Sequence, residues 1–176
     1  MSLSTAPATA VRAARIAALS IAVAAGLSQD DTARELTSAL PVSLARRRLY
    51  RAVVVLPGAA LSWAVTVASI ARLIGPLPSA ALTTELAAFI AVASMSSVVL
   101  AALTPERQGG VAAAPAVFAA YAAGGLLYRP LLASGPLEAG WGPAHRLFGA
   151  VALVGSAGYA LASWWPDLRW RLARRG

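Results

Sequence analysis

No cysteine and no lysine occur in the 176 residues. Without cysteine the chain can form no disulfide, no thiolate zinc site, no cysteine-ligated iron–sulfur cluster and no cysteine nucleophile. Without lysine it has no phosphate-binding loop of the G-x-x-x-x-G-K type, so nucleotide hydrolysis of that kind by this chain alone is excluded. Acids are scarce as well, with seven Asp and Glu against fifteen arginines, and charged residues make up only 12% of the chain. The single histidine, His145, cannot bind a haem from both sides or build a multi-histidine metal site. No Ser-His-Asp set can be nominated around it, because the aspartates fall on the opposite side of the expected topology.

Apolar residues fill the space that charge leaves empty. They make up 59% of the chain, and the mean hydropathy is +0.68, against the ~45–50% apolar content of a soluble domain. Ala52 to Ala71, Leu86 to Thr104, Val111 to Tyr128 and Leu147 to Trp165 hold no Asp, Glu, Lys or Arg. Each is close to the ~20 residues that cross a bilayer as a helix. A fifth run, Ile16 to Ser28, is shorter; it spans if Val11 to Arg15 enters the interface with Arg12 and Arg15 snorkelling outward. The fold class expected is an all-α integral membrane protein, one transmembrane domain over residues 1–176 with about five helices. The loops GPLPS, PERQGG and SGPLEAGWGP are too short to hold a soluble domain.

The arginines sit at span ends rather than along a face interleaved with aromatics, which argues against nucleic acid as the partner. Ten lie in the connector after the first span, in the Pro105 loop and in the basic tail at 166–176; five lie on the other side. The positive-inside rule then places the connector and the C-terminus in the cytoplasm. The start MSLSTAPATA lacks the charged region of a cleaved signal, which points to a multi-pass protein of the bacterial inner membrane inserted by its own spans.

Several residues inside the spans are candidates for more than filling. Glu85 and its expected ion partner Arg72 form a possible intramembrane polar site, although a carboxylate near a helix start also complements the dipole. His145 is expected to be a solvated loop histidine. Trp63 falls mid-span, either packing between helices or walling a substrate path. Pro57 and Pro115 can kink their spans. Ala116, Ala120 and Gly124, and separately Gly155 and Gly158, offer small-residue faces for close helix contact.

Residues 30–48 form a different kind of segment. Thr32-Ala33-Arg34-Glu35 fits a capping box, so a short amphipathic elbow helix is expected from Ala33, with Leu36, Ala39 and Leu40 on one face. Pro41 stops it, and Ser43 can cap a second helix that carries Arg46, Arg47 and Arg48 into the next span. The string DDTARELTSALPVSLARRRLYR resembles the cytoplasmic connector of exporter-type ABC-transporter permeases: an acidic start, a Glu followed by Leu and Thr, a Pro-Val-Ser turn and basic residues before the next span. The resemblance implies that Asp31, Arg34, Glu35, Thr37, Pro41, Ser43 and Arg46 dock on a separate ATP-binding subunit. This chain would then be the permease subunit of an ATP-driven exporter, with ATP and Mg bound by the partner and no cofactor of its own. A second permease chain and membrane lipids are the other partners implied. Such permeases commonly have six spans against five here, so the chain corresponds to one lacking its leading helix or to a smaller accessory partner. The alternative is a non-transporting structural or assembly subunit whose connector and tail bind a cytoplasmic protein or anionic lipids.

Overall fold

Helix α1 (Thr5–Leu27) shows how so alanine-rich a sequence builds a core in lipid. Ala14, Ala18, Ala22 and Ala25 recur at helical spacing and are all buried. With nothing beyond Cβ, they let neighbouring backbones approach closely where hydrophobicity supplies no drive to associate. The structure, a computed structural model, describes residues 5–29, 44–103, 109–132 and 138–173. Within them follow α2 (Leu44–Leu73), α3 (Ser79–Leu103) and α4 (Gly109–Leu127), a 3₁₀ turn at Arg129–Leu132, and α5 (Trp141–Ala173). No strand occurs among the described residues, in keeping with the all-α membrane class. Four helices contain stretches long and apolar enough to span a bilayer, Ala8–Leu27, Arg46–Leu73, Ser79–Leu100 and Trp141–Trp164, and α4 adds a shorter apolar stretch, Ala114–Leu127.

Helix α3 is the centre and packs against α1, α4 and α5. Its pairings with α1 (Glu85 to Arg15, Ser97 to Gly26) and with α5 (Thr84 to Gly149, Ala91 to Gly155, Met95 to Gly158) keep nearly constant register, so these three helices run parallel. The glycines on α5 make the second contact possible. A Cβ on Gly155 would meet the Ala91 Cβ at 3.0 Å and its carbonyl carbon at 3.3 Å. Phe89 on α3 meets the edges of Tyr121 on α4 and Phe148 on α5, with centroids 5.4 and 5.7 Å apart. Helix α2 packs on α1 and α5 but hardly touches α3. Gly75, at φ +141°, ends α2, its N–H reaching the Ile70 carbonyl at 3.3 Å; an L side chain would be strained there.

Three expectations change. Helix α1 starts at Thr5, so it has the length to span without drawing Arg15 outward; Arg12 is exposed but Arg15 is buried. Helix α3 starts at Ser79, which puts Glu85 two turns inside rather than at the end where it could complement the dipole. His145 lies in the first turns of α5, not in a loop. The expected second helix after Ser43 does form, from Leu44, and carries the arginines without a break into α2. Asp31, Arg34, Glu35, Thr37, Pro41 and Ser43 lie outside the described residues.

The two glycines of α5 should respond differently to one methyl group. Alanine gains about 1 kcal/mol of helix propensity over glycine at either site. At Gly155 the new Cβ meets a fixed Ala91 backbone, whereas at Gly158 it meets the movable end of Met95. Gly155→Ala is expected to lose about 1–3 kcal/mol by overpacking, and Gly158→Ala to lose less or to gain. Thermal unfolding of the purified variants checks this, and equal effects at the two sites would contradict the α3–α5 packing.

Candidate functional site

Glu85 has 0% of its surface exposed. A carboxylate in that position must be neutralised by proton or partner, since an isolated buried charge is very costly. Its partner is Arg15, seventy residues earlier: Nε donates to Oε2 and Nη2 to Oε1, both at 2.7 Å. The bidentate fork is the strongest geometry available to such a pair, and the Arg15 side chain is only 6% exposed. The sequence pointed to Arg72 as the ion partner. Arg72 instead occupies the last turn of α2 and is exposed, while Arg15 approaches from the helix packed directly on α3.

Aromatic groups close around the pair. The Arg15 guanidinium carbon stands 5.7 Å from the Trp141 ring centroid, within cation–π range. Trp141 lies over His145, with centroids 4.2 Å apart. His145 Nδ1 is 2.8 Å from the Trp141 carbonyl oxygen, and Nε2 is 2.9 Å from Glu85 Oε1. That second approach is a close polar contact without the alignment of a hydrogen bond. Tyr121 of α4 stands near enough to both Arg15 and Glu85 to feel their charges. Four helices therefore converge on one carboxylate: α1 through Arg15, α3 through Glu85 itself, α4 through Tyr121 and α5 through His145 and Trp141.

The sequence did hold a sign that Arg15 faces inward. It lies four residues after Val11 and four before Leu19, both buried, and beside the buried Ala14, so it shares their face. The cluster has no nucleophile with a positioned base, and no group of three or more potential metal ligands occurs among the described residues. Its chemistry is that of an interhelical tie.

Because α2 stands off α3, a cavity of about 540 Å³ opens between them, with α1 and α5 completing the wall. Its middle is apolar: Val55, Leu56 and Ala59 from α2, Leu86, Ile90 and Ala91 from α3. At one end Trp63 Nε1 donates to Thr83 Oγ1 at 2.9 Å, while the Thr83 hydroxyl donates to the Ser79 carbonyl at 2.8 Å. Trp63 is thus both a packing residue and part of a wall. At the other end Gln29 joins three helices: its carbonyl accepts from Arg51 Nη1 at 3.0 Å and its Oε1 from the Tyr159 hydroxyl at 3.0 Å. Neither Gln29 nor Tyr159 stood out in the sequence, since nothing local marks a contact 130 residues apart. Of the connector residues, Arg46 is described. It is exposed on the first turn of α2, with Nε donating to the Tyr50 hydroxyl at 3.1 Å.

Removing one member of the ion pair should cost far more than removing both. Glu85→Leu leaves Arg15 buried and unpaired, which is expected to cost about 3–5 kcal/mol, whereas Arg15→Met with Glu85→Leu should recover most of that loss. Unfolding of the two single variants and the double variant measures the coupling; additive losses would show that the pair is not coupled.

Against protein-family models, curated proteins and solved structures the chain finds no match.

Proposed function

We propose that the chain is a membrane-embedded permease subunit of an ATP-driven exporter, moved by a separate ATP-binding subunit through residues 31–48. The supporting observation is the position of α2. It continues from the connector, carries Arg46, Arg47 and Arg48 at its start, and flanks the cavity instead of packing on α3. A push delivered at the connector would therefore fall on the helix whose displacement changes the cavity. The other four helices meet at the Glu85 cluster and provide the fixed frame. Pro57, inside α2, removes one helical hydrogen bond level with the cavity and lowers the cost of bending there.

In this reading the connector and the C-terminus are cytoplasmic, the membrane is the bacterial inner membrane, and ATP with Mg binds to the partner. A second permease chain completes the path. The exposed apolar faces of α2 and α5, which include Val54, Leu61, Leu153 and Val154, leave room for its helices. Those same faces favour the second reading, a structural or assembly subunit that holds a partner by helix packing alone.

Purification of a tagged chain from its native membranes, with identification of its partners and an ATPase assay, separates the two. The exporter reading expects a nucleotide-hydrolysing subunit to co-purify with the wild type and to be lost on Glu35→Arg, while the chain stays in the membrane. Recovery of the chain alone, or with a partner that hydrolyses nothing, would contradict it.

A further inference from the structure

The cavity beside α2 has two unlike ends and an apolar middle, and its dimensions select a class of occupant. Its volume of about 540 Å³ is well above the ~150 Å³ of an apolar void that takes up benzene, and it lies inside the ~300–1,000 Å³ range of ligand pockets. Its α2 wall runs from Ala52 to Trp63, which at 1.5 Å per residue is about 16 Å, roughly half the ~30 Å hydrocarbon core. The cavity is therefore about as long as one leaflet is deep.

The two ends differ in what they ask of a ligand. At the Trp63 end the indole N–H and the Thr83 hydroxyl already satisfy each other and the backbone, so no donor is left facing inward from that pair. At the Gln29 end, Arg51 is hydrogen-bonded at the rim, and Arg48 and Arg51 both act electrostatically on Tyr159 there. The first turns of α2, from Leu44 to Arg51, carry four arginines and no acid, so this end of α2 is positive. An apolar void forgoes dispersion contacts along its whole lining, and a protein in a bilayer has acyl chains at hand to supply them.

We propose that this cavity binds one acyl chain of an anionic membrane lipid, with the chain end against Trp63 and the phosphate at the level of Arg48 and Arg51. The site rests on the cavity alone and not on the ATPase partner, so it can stand if the exporter reading fails, and the reverse.

The test uses the full chain, stripped of lipid in detergent and re-supplied with phosphatidylglycerol or with phosphatidylcholine of the same acyl composition, followed by native mass spectrometry. The wild type is expected to keep one phosphatidylglycerol per chain and to keep phosphatidylcholine less well. Ala59→Trp, which fills the cavity from α2, and Ala87→Trp, which fills it from α3, should each lose the retained lipid, and Arg51→Gln should erase the preference for the anionic headgroup. Having a filling variant on each wall guards against one of them failing to fold. Fluorescence gives a readout that leaves the cavity unfilled: in the wild type, lipid brominated at the chain end should quench the component that Trp63→Phe removes. Equal retention by the filled variants and the wild type, equal retention of the two lipids, absence of bound lipid, or no quenching of Trp63 would each overturn the proposal.

Discussion

A carboxylate that water cannot reach has to be held by something, and here the holder comes from another helix. The Arg15–Glu85 fork joins α1 to α3 at two 2.7 Å hydrogen bonds, in surroundings where neither charge could be left alone. Once that pair is placed, Trp141 and His145 on α5 close on the two ions, with Tyr121 of α4 within reach of their charges. In a membrane the apolar surfaces of helices gain little by leaving lipid for one another. Register must then come from polar pairs and close backbone contacts, and this chain uses both. The ion cluster fixes one end of the α1–α3–α5 group, and Gly155 and Gly158 on Ala91 and Met95 fix α5 against α3 further along. Ser97, whose hydroxyl is shared between the Ala93 carbonyl at 2.9 Å and the Gly26 carbonyl at 3.3 Å, brings α1 and α3 together near their other end.

Helix α2 is bound differently. Its side-chain bridge to α3 is that of Trp63 to Thr83, at one end of the cavity. Its other described polar link is Arg51 to Gln29, at the end of α1. The core is thus held by desolvated charge, whereas the flanking helix is joined to it by packing on α1 and α5 and by hydrogen bonds at either end of the cavity. The first resists separation because parting the ions exposes each to an apolar medium. The second can change by giving up the neutral Trp63–Thr83 bond, worth about 1 kcal/mol, and the charge-assisted Arg51–Gln29 bond, worth about 1.5–3 kcal/mol.

The helices were largely legible, because a charge-free run of about twenty residues has few other destinies. The small residues on α5 were legible too, since Gly155 and Gly158 in an apolar span have little use except close packing. Glu85 stood out as an intramembrane acid, but its partner did not: proximity in sequence favoured Arg72, while the pairing is between residues seventy positions apart. Pairings of that range follow from how helices are stacked, which no local spacing encodes. His145 was misplaced for a related reason, as helix α5 begins at Trp141, ahead of the charge-free run that starts at Leu147. The cavity was not readable at all, because it is the space left where two particular helices fail to meet.

The central claim is that α1 and α3 form one fixed unit while α2 moves against it. The absence of native cysteine allows spin labels to be placed without background. One pair would sit on the exposed positions Ile16 and Leu103, on α1 and α3, and another on Val54 and Leu103, on α2 and α3, none of them lining the cavity. Pulsed electron–electron distance measurements in lipid nanodiscs are expected to give a narrow distribution for the first pair and a broad or two-peaked one for the second. Equally narrow distributions for both pairs would contradict the account.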